Sequence, residues 1–126
     1  MKEAGENYLE AIYVLSQRQQ EVRATDICAY FGYSRPTVSV ALKHFKEQGY
    51  VEVDGNNHIT LTESGLAIAQ KIYERHVVIT RMLVHLGVSE DVAAADACKI
   101  EHDLSDETFR CMKEHFLGTG GGEETH

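Results

Sequence analysis

Ala24-Thr25-Asp26-Ile27-Cys28-Ala29-Tyr30-Phe31-Gly32-Tyr33-Ser34-Arg35-Pro36-Thr37-Val38-Ser39-Val40-Ala41-Leu42-Lys43-His44-Phe45 is the stretch that decides how this chain folds. A short helix over about Ala24 to Phe31 is predicted to stop at Gly32, because glycine enters the left-handed conformation of a tight turn without steric cost. Ser34 is a favourable N-cap, and Pro36 falls in the first turn of the next helix, where its missing N–H removes no bond. That second helix runs to about Gln48 and ends at Gly49, with Val38, Ala41, Leu42 and Phe45 on its inner face. Short helix, glycine turn and capped second helix form the helix-turn-helix pattern, although a generic helical hairpin needs a turn of the same kind. Arg35, Thr37, Ser39, Lys43 and Lys46 lie away from much of the apolar face. Hydroxyls and a guanidinium at a helix N-terminus suit base edges and phosphates; a solvated polar face has the same composition.

Residues on either side narrow the choice. Tyr50-Val51-Glu52-Val53 and His58-Ile59-Thr60-Leu61 alternate in polarity around the turn Asp54-Gly55-Asn56-Asn57, which predicts a two-stranded hairpin. A hairpin directly after a helix-turn-helix is the wing of a winged-helix domain. Its tip carries an acid and no Arg or Lys. Upstream, Tyr8, Leu9, Ile12, Tyr13, Val14 and Leu15 give a helical stripe between Glu6 and Gln17. Asn7 and Glu10, three residues apart, share a face that differs from part of that stripe.

Downstream the pattern is helical. Thr62 is a plausible cap for a long helix whose apolar positions run from Leu66 through Ile68, Ile72, Val78, Ile79, Met82 and Leu83 to Leu86, closed by Gly87. Ser89 caps a helix reaching about His102, with Ala93-Ala94-Ala95 favouring helix and close approach. Ser105 caps a last helix to Leu117, with Phe109, Met112 and Phe116 inward. Gly118 to His126 holds no apolar residue and is expected to be disordered. The fold class expected is mainly α with a small β-hairpin. The winged helix-turn-helix spans residues 1–61, a helical domain 62–117 and a tail 118–126.

With 126 residues the chain suits one domain or a small domain with a helical appendage. No apolar run approaches membrane-spanning length, and Met1 to Glu6 lacks the shape of a signal peptide, so a cytoplasmic protein is expected. A net charge of −8 argues against an indiscriminate nucleic-acid binder but not against a specific one, whose reading surface carries its own local charge. Three cysteines, Cys28, Cys98 and Cys111, without CxxC spacing argue against a disulfide framework or a four-cysteine zinc knuckle.

Cys98, Glu101 and His102 stand at i, i+3 and i+4. On a helix a thiol, a carboxylate and an imidazole then share one face, a donor set a divalent transition metal accepts. A half-buried cysteine beside two surface polar residues would give the same spacing. His76, alone within the long helix, reads as a structural histidine more readily than as a ligand.

Taken together, these stretches resemble the iron- and manganese-dependent repressors of the diphtheria-toxin-repressor and manganese-transport-regulator type. The resemblance rests on Glu6-Asn7-Tyr8-Leu9-Glu10-Ala11-Ile12-Tyr13, Ser34-Arg35-Pro36-Thr37-Val38-Ser39, Leu61-Thr62-Glu63-Ser64-Gly65, Arg75-His76, and Ala97 to Ser105. It implies a homodimeric, metal-activated transcriptional repressor rather than an enzyme, with a helical domain for dimerisation and metal binding. The implied metal ligands are Asn7, Glu10, His76, Cys98, Glu101 and His102. The DNA-binding residues expected are Arg23, Ser34, Arg35, Pro36, Thr37, Ser39 and Lys43, on double-stranded operator DNA with an inverted repeat.

The chain departs from the family in places. Asn7 stands where manganese members have Asp and iron members have Met. Cys98 is of the iron type and Glu10 of the manganese type. Thr80 and Ala94 occupy the positions of the iron members' ancillary site, and the architecture expected is that of the shorter members, without an SH3-like domain. A thiolate favours Fe(II), Co(II) and Zn(II) over Mn(II), while two carboxylates and two imidazoles suit Mn(II) as well; the ions expected are Fe(II) first, Mn(II) second and Zn(II) third. The competing reading is a winged-helix regulator that senses an organic ligand or oxidation of Cys98. A small metal-dependent hydrolase would need a general base and substrate loops that the sequence does not offer.

Overall fold

The helix-turn-helix forms where its capping residues place it. In the computed structural model, which describes residues 3–118, the order is α1 (Glu3–Arg18), α2 (Ala24–Phe31), α3 (Arg35–Glu47), β1 (Val51–Val53), β2 (Ile59–Leu61), α4 (Glu63–His85), α5 (Glu90–Ile100) and α6 (Asp106–Gly118). This is the mainly helical fold with one antiparallel hairpin expected from the sequence. Gly118 ends α6, and the rest of the predicted tail lies outside the described residues.

Gly32 takes φ 75° and its N–H donates to the Cys28 carbonyl, closing α2. Ser34 Oγ accepts from the Thr37 N–H at 3.3 Å and opens α3. The chain divides into two units, residues 1–71 and 72–126. In the first, Tyr8, Leu9, Ile12 and Leu15 of α1 bury with Ile27, Val38, Leu42, Phe45, Val51 and Ile59, and Ala69 from the early turns of α4 joins them. Tyr8 sits among aromatic rings, with centroids 5.2 Å from Phe31 and 5.5 Å from Phe45. Burial raises the Tyr8 phenol above its ordinary pKa, with Tyr33 and Cys28 adding to the shift.

The hairpin pairs Val51 with Leu61, Glu52 with Thr60 and Val53 with Ile59. Val51 and Ile59 face the core while Glu52 and Thr60 face solvent, as period-2 alternation requires. The Ile59 N–H donates to the Val22 carbonyl at 2.7 Å, which ties the wing to the segment ahead of α2. Asp54 organises the turn: one carboxylate oxygen accepts from the main-chain N–H groups of Asn56 (2.8 Å) and His58 (2.9 Å). Asn57 takes φ 64°, a conformation asparagine tolerates better than most residues.

The amide of His58, the amide of Asn56 and the His58 ring hold the Asp54 carboxyl below its ordinary value of 3.8, against some opposing desolvation. A depressed carboxyl pKa stabilises the turn fully above the unfolded value and loses that contribution as pH falls through the folded one. Asp54→Ala should therefore speed hydrogen exchange at the Asn56 and His58 amides at neutral pH. In the parent, the same two amides should lose protection selectively as the solution is acidified below about pH 4, the usual carboxylate range. Unchanged exchange in the variant would contradict this role for Asp54.

In the second unit Ile79, Ala97 and Phe109 form the core, with Val78, Leu83, Ile100 and Leu104 packed against it. Phe116 is buried as well, and Met112 is half-buried. Ser105 caps α6 by accepting the Thr108 N–H at 3.1 Å. The helix expected to reach His102 closes earlier, at Ile100. Glu101 is its C-cap, still in right-handed helical conformation at φ −58°, ψ −29°, and His102 lies in the following turn.

Candidate metal centre and nucleic-acid interface

The polar face of α3 is presented to solvent. Ser34, Arg35, Pro36, Thr37, Ser39 and Lys43 are all exposed. Ser34 and Thr37 also bond each other through their hydroxyls at 2.8 Å, so both serve the cap. No acidic residue occupies the first turn of α3, and Glu47 is its one acid against Arg35, Lys43 and Lys46. Helix α3 thus has a positive balance within an acidic chain.

Arg23 stands at the N-cap of α2. Its main-chain N–H donates to the Asp26 carboxylate at 2.8 Å, and its guanidinium donates to His58 Nε2 of the wing at 2.9 Å. The His58 ring lies between two further acids, 3.2 Å from Glu21 and 3.4 Å from Asp54. Arg23, Thr25, Arg35, Ser39 and Asn57 line a cleft of about 400 Å³ whose apolar floor includes Leu42, Val53 and Ile59. Two guanidinium groups and two hydroxyls in one cleft suit a phosphate-bearing ligand.

The wing adds Asn57 to this cleft and sets His58 against Arg23, two positions outside the residues expected from the sequence. Val40 of α3 is 59% exposed. It falls off the Val38, Leu42 and Phe45 stripe, and that spacing signals its exposure.

The second unit holds the donor cluster. One ligand atom each from Cys98, Glu101 and His102 lie within 4.8 Å of one another. Cys98 is exposed, whereas the Glu101 side chain is fully buried and that of His102 is 2% exposed. His76 of α4 joins them: its Nδ1 is 3.2 Å from one Glu101 oxygen, and His102 Nε2 is 3.4 Å from the other. Neither Glu101 oxygen has a hydrogen-bond partner among the described residues. A buried carboxylate without hydrogen bonds is costly unless a charge compensates it. Two imidazoles, a thiol and that carboxylate are a donor set suited to a divalent transition ion, so these residues fit a metal. Asn7 and Glu10 lie half-buried on α1 in the first unit.

A winged helix-turn-helix followed by a helical domain with a buried Glu, two His and a Cys defines a metal-responsive DNA-binding regulator. Residues 1–59 match the family described as "Iron dependent repressor, N-terminal DNA binding domain". Residues 62–118 match "Iron dependent repressor, metal binding and dimerisation domain". The chain belongs to the iron-dependent repressor family, whose members are metal-dependent transcriptional repressors and not enzymes.

The chain is 35% identical over 115 residues to an uncharacterised HTH-type transcriptional regulator of Methanocaldococcus jannaschii, covering 90% of this chain and 92% of that one. It is 36% identical over 112 residues to the transcriptional regulator MntR of Escherichia coli O6:H1, covering 89% of this chain and 72% of the other. Among solved structures, a manganese-dependent transcriptional repressor in complex with manganese superposes with a TM-score of 0.79 at 29% identity. That match covers 90% of this chain but 52% of the solved one, so this chain spans about half its length. Among the described residues, no helix is long and apolar enough to cross a membrane.

Proposed function

We propose that the chain acts in the cytoplasm as a homodimeric repressor that binds an inverted-repeat operator when loaded with Fe(II), with Mn(II) second and Zn(II) third in preference. The single observation that carries the metal reading is the Glu101 carboxylate, fully buried and without a hydrogen-bond donor beside His76 and His102. A bound divalent ion supplies the positive charge that this carboxylate calls for. Glu101 gives an anionic oxygen, His76 and His102 give neutral imidazole nitrogens, and Cys98 gives a thiolate. Thiol and imidazoles must be deprotonated to serve, so affinity should rise with pH. The thiolate supports the ranking of iron over manganese. Asn7 and Glu10 enter the proposed set on the family resemblance.

In this reading residues 1–61 bind DNA and residues 62–117 hold metal and dimerise. Arg23, Arg35 and Lys43 neutralise phosphates, Ser34, Thr37 and Ser39 offer hydroxyls, and Pro36 packs at the start of the reading helix. Exposed apolar residues in the second unit, Leu86 at 77% and Val92 at 51%, support a further copy of the chain as the partner. Two-fold symmetry of such a dimer calls for two half-sites about one helical turn of DNA apart, or a multiple of it. Ligand binding narrows the arrangements a loaded dimer samples, so less ordering remains to be done on the operator.

Operator affinity should rise at least about tenfold on adding Fe(II) or Mn(II) and fall back with a chelator, a difference of about 1.4 kcal/mol or more. Gel-shift or anisotropy titrations on an inverted-repeat duplex, with and without chelator, would measure it. Equal affinity in both conditions would remove the metal switch and favour a regulator that responds through Cys98 oxidation or an organic ligand.

A further inference from the structure

Arg75 is buried, 4% exposed, and neither the winged helix nor the donor set uses it. Its guanidinium donates through one nitrogen to the main-chain carbonyls of Glu101 (3.0 Å) and Leu104, and through another to the Asp106 carboxylate. Its face lies over the Phe109 ring, 5.3 Å from the centroid. The carbonyls at the end of α5 lack intrahelical partners, and a cation is favoured there by the helix dipole. Asp106 opens α6, so one side chain spans the turn from the end of α5 to the start of α6.

The next residue along α4 is His76, whose ring approaches the side chain of the same Glu101 at 3.2 Å. Two consecutive residues of α4 therefore reach one residue, Arg75 through its main chain and His76 through its carboxylate. The rotation of the Glu101 peptide governs where its carboxylate points, and His102 follows on the same turn.

We propose that Arg75 is a positioning residue for the metal centre, holding the 101–106 turn so that Glu101 and His102 meet His76 in ligating geometry. This inference rests on the reading of Glu101 and His102 as ligands. Lysine in its place offers a point charge on a flexible stem and lacks the planar fork that reaches two carbonyls and a carboxylate together.

The test uses the full chain with Co(II) as probe. Affinity is read by competition with a chelator, the site by its ligand-field and thiolate-to-cobalt absorption, and the apo fold by circular dichroism and thermal melting. Arg75→Lys should keep the apo chain folded, weaken Co(II) binding about tenfold to a hundredfold, and alter the cobalt spectrum, as loss of an outer support of ligating side chains does. Asp106→Asn keeps Arg75 but loosens one anchor, and should weaken binding less.

A folded Arg75→Lys chain with parental Co(II) affinity and spectrum overturns the proposal, even if it melts earlier. Should Arg75→Lys fail to fold, Asp106→Asn decides: parental affinity and spectrum there overturn it. Glu101→Gln is measured alongside. If that variant binds Co(II) like the parent, the ligand reading fails and the Arg75 proposal with it. If it loses binding while Arg75→Lys does not, the Arg75 proposal alone fails.

Discussion

Glu101→Gln is expected to leave the apo chain folded and at least as stable as the parent while weakening metal binding by more than about a hundredfold. The lower bound follows because even outer partners of ligating side chains contribute tenfold to a hundredfold. The two halves of the expectation share one cause. The Glu101 side chain is fully buried, and neither of its oxygens has a hydrogen-bond partner among the described residues. A buried carboxylate that no hydrogen bond satisfies opposes folding of the apo chain. Glutamine has the same shape without the charge, and its amide can donate toward the imidazoles of His76 and His102. Thermal melting of the metal-free proteins and chelator competition would measure both quantities. A variant that is markedly less stable when metal-free would show Glu101 to be a structural ion-pair partner of His76 and His102. Metal affinity retained in the variant would remove it from the ligand set.

Gly65→Ala should destabilise the first unit by about 2–3 kcal/mol, the upper part of the range for forcing extra volume into a packed site. Gly65 is buried in the first turn of α4, and a Cβ there would run into the main-chain carbonyl of Tyr50. That carbonyl is already the acceptor for the Thr62 N–H at 3.0 Å. Thr62 Oγ1 donates to the Gly49 carbonyl at 2.6 Å and accepts the Gly65 N–H at 3.2 Å. The turn after α3 and the start of α4 are thus bonded backbone to backbone, and neither can retreat cheaply. Denaturant or thermal unfolding should show a melting point lower by roughly 10 °C or more. Ser64→Ala, next in sequence and exposed, removes only the 3.3 Å hydrogen bond from Ser64 Oγ to the Gly49 carbonyl and a hydroxyl contact with Thr62, and should cost less. A Gly65→Ala protein as stable as the parent would show that the contact relaxes without loss.

The first unit was the more legible of the two because its signals are local. Gly32 and Ser34 act through bonds to residues within five positions, and α2 ends and α3 starts where they direct. The alternation of Val51 to Val53 and Ile59 to Leu61 set which side chains face inward, and the observed register agrees. The donor triplet was legible as a spacing, yet the helix expected to carry it ends at Ile100, and Glu101 and His102 keep their arrangement in the cap and turn beyond. Helix periodicity does not report where a helix stops when the stop is imposed from another element.

The sequence by itself determined the order of elements, the helix-turn-helix with its wing, and the candidate donors, because capping, period and turn chemistry act over a few residues. Only the tertiary structure decided which of those donors are buried and what touches them. Burial turned Glu101 from a polar residue beside His102 into a carboxylate that calls for a cation. Arg75, quoted in the sequence as no more than the neighbour of His76, became the group that reaches across 26 residues to Glu101 and 31 to Asp106. Burial and contacts at such separations depend on how α4, α5 and α6 pack, and no local pattern of residues encodes them.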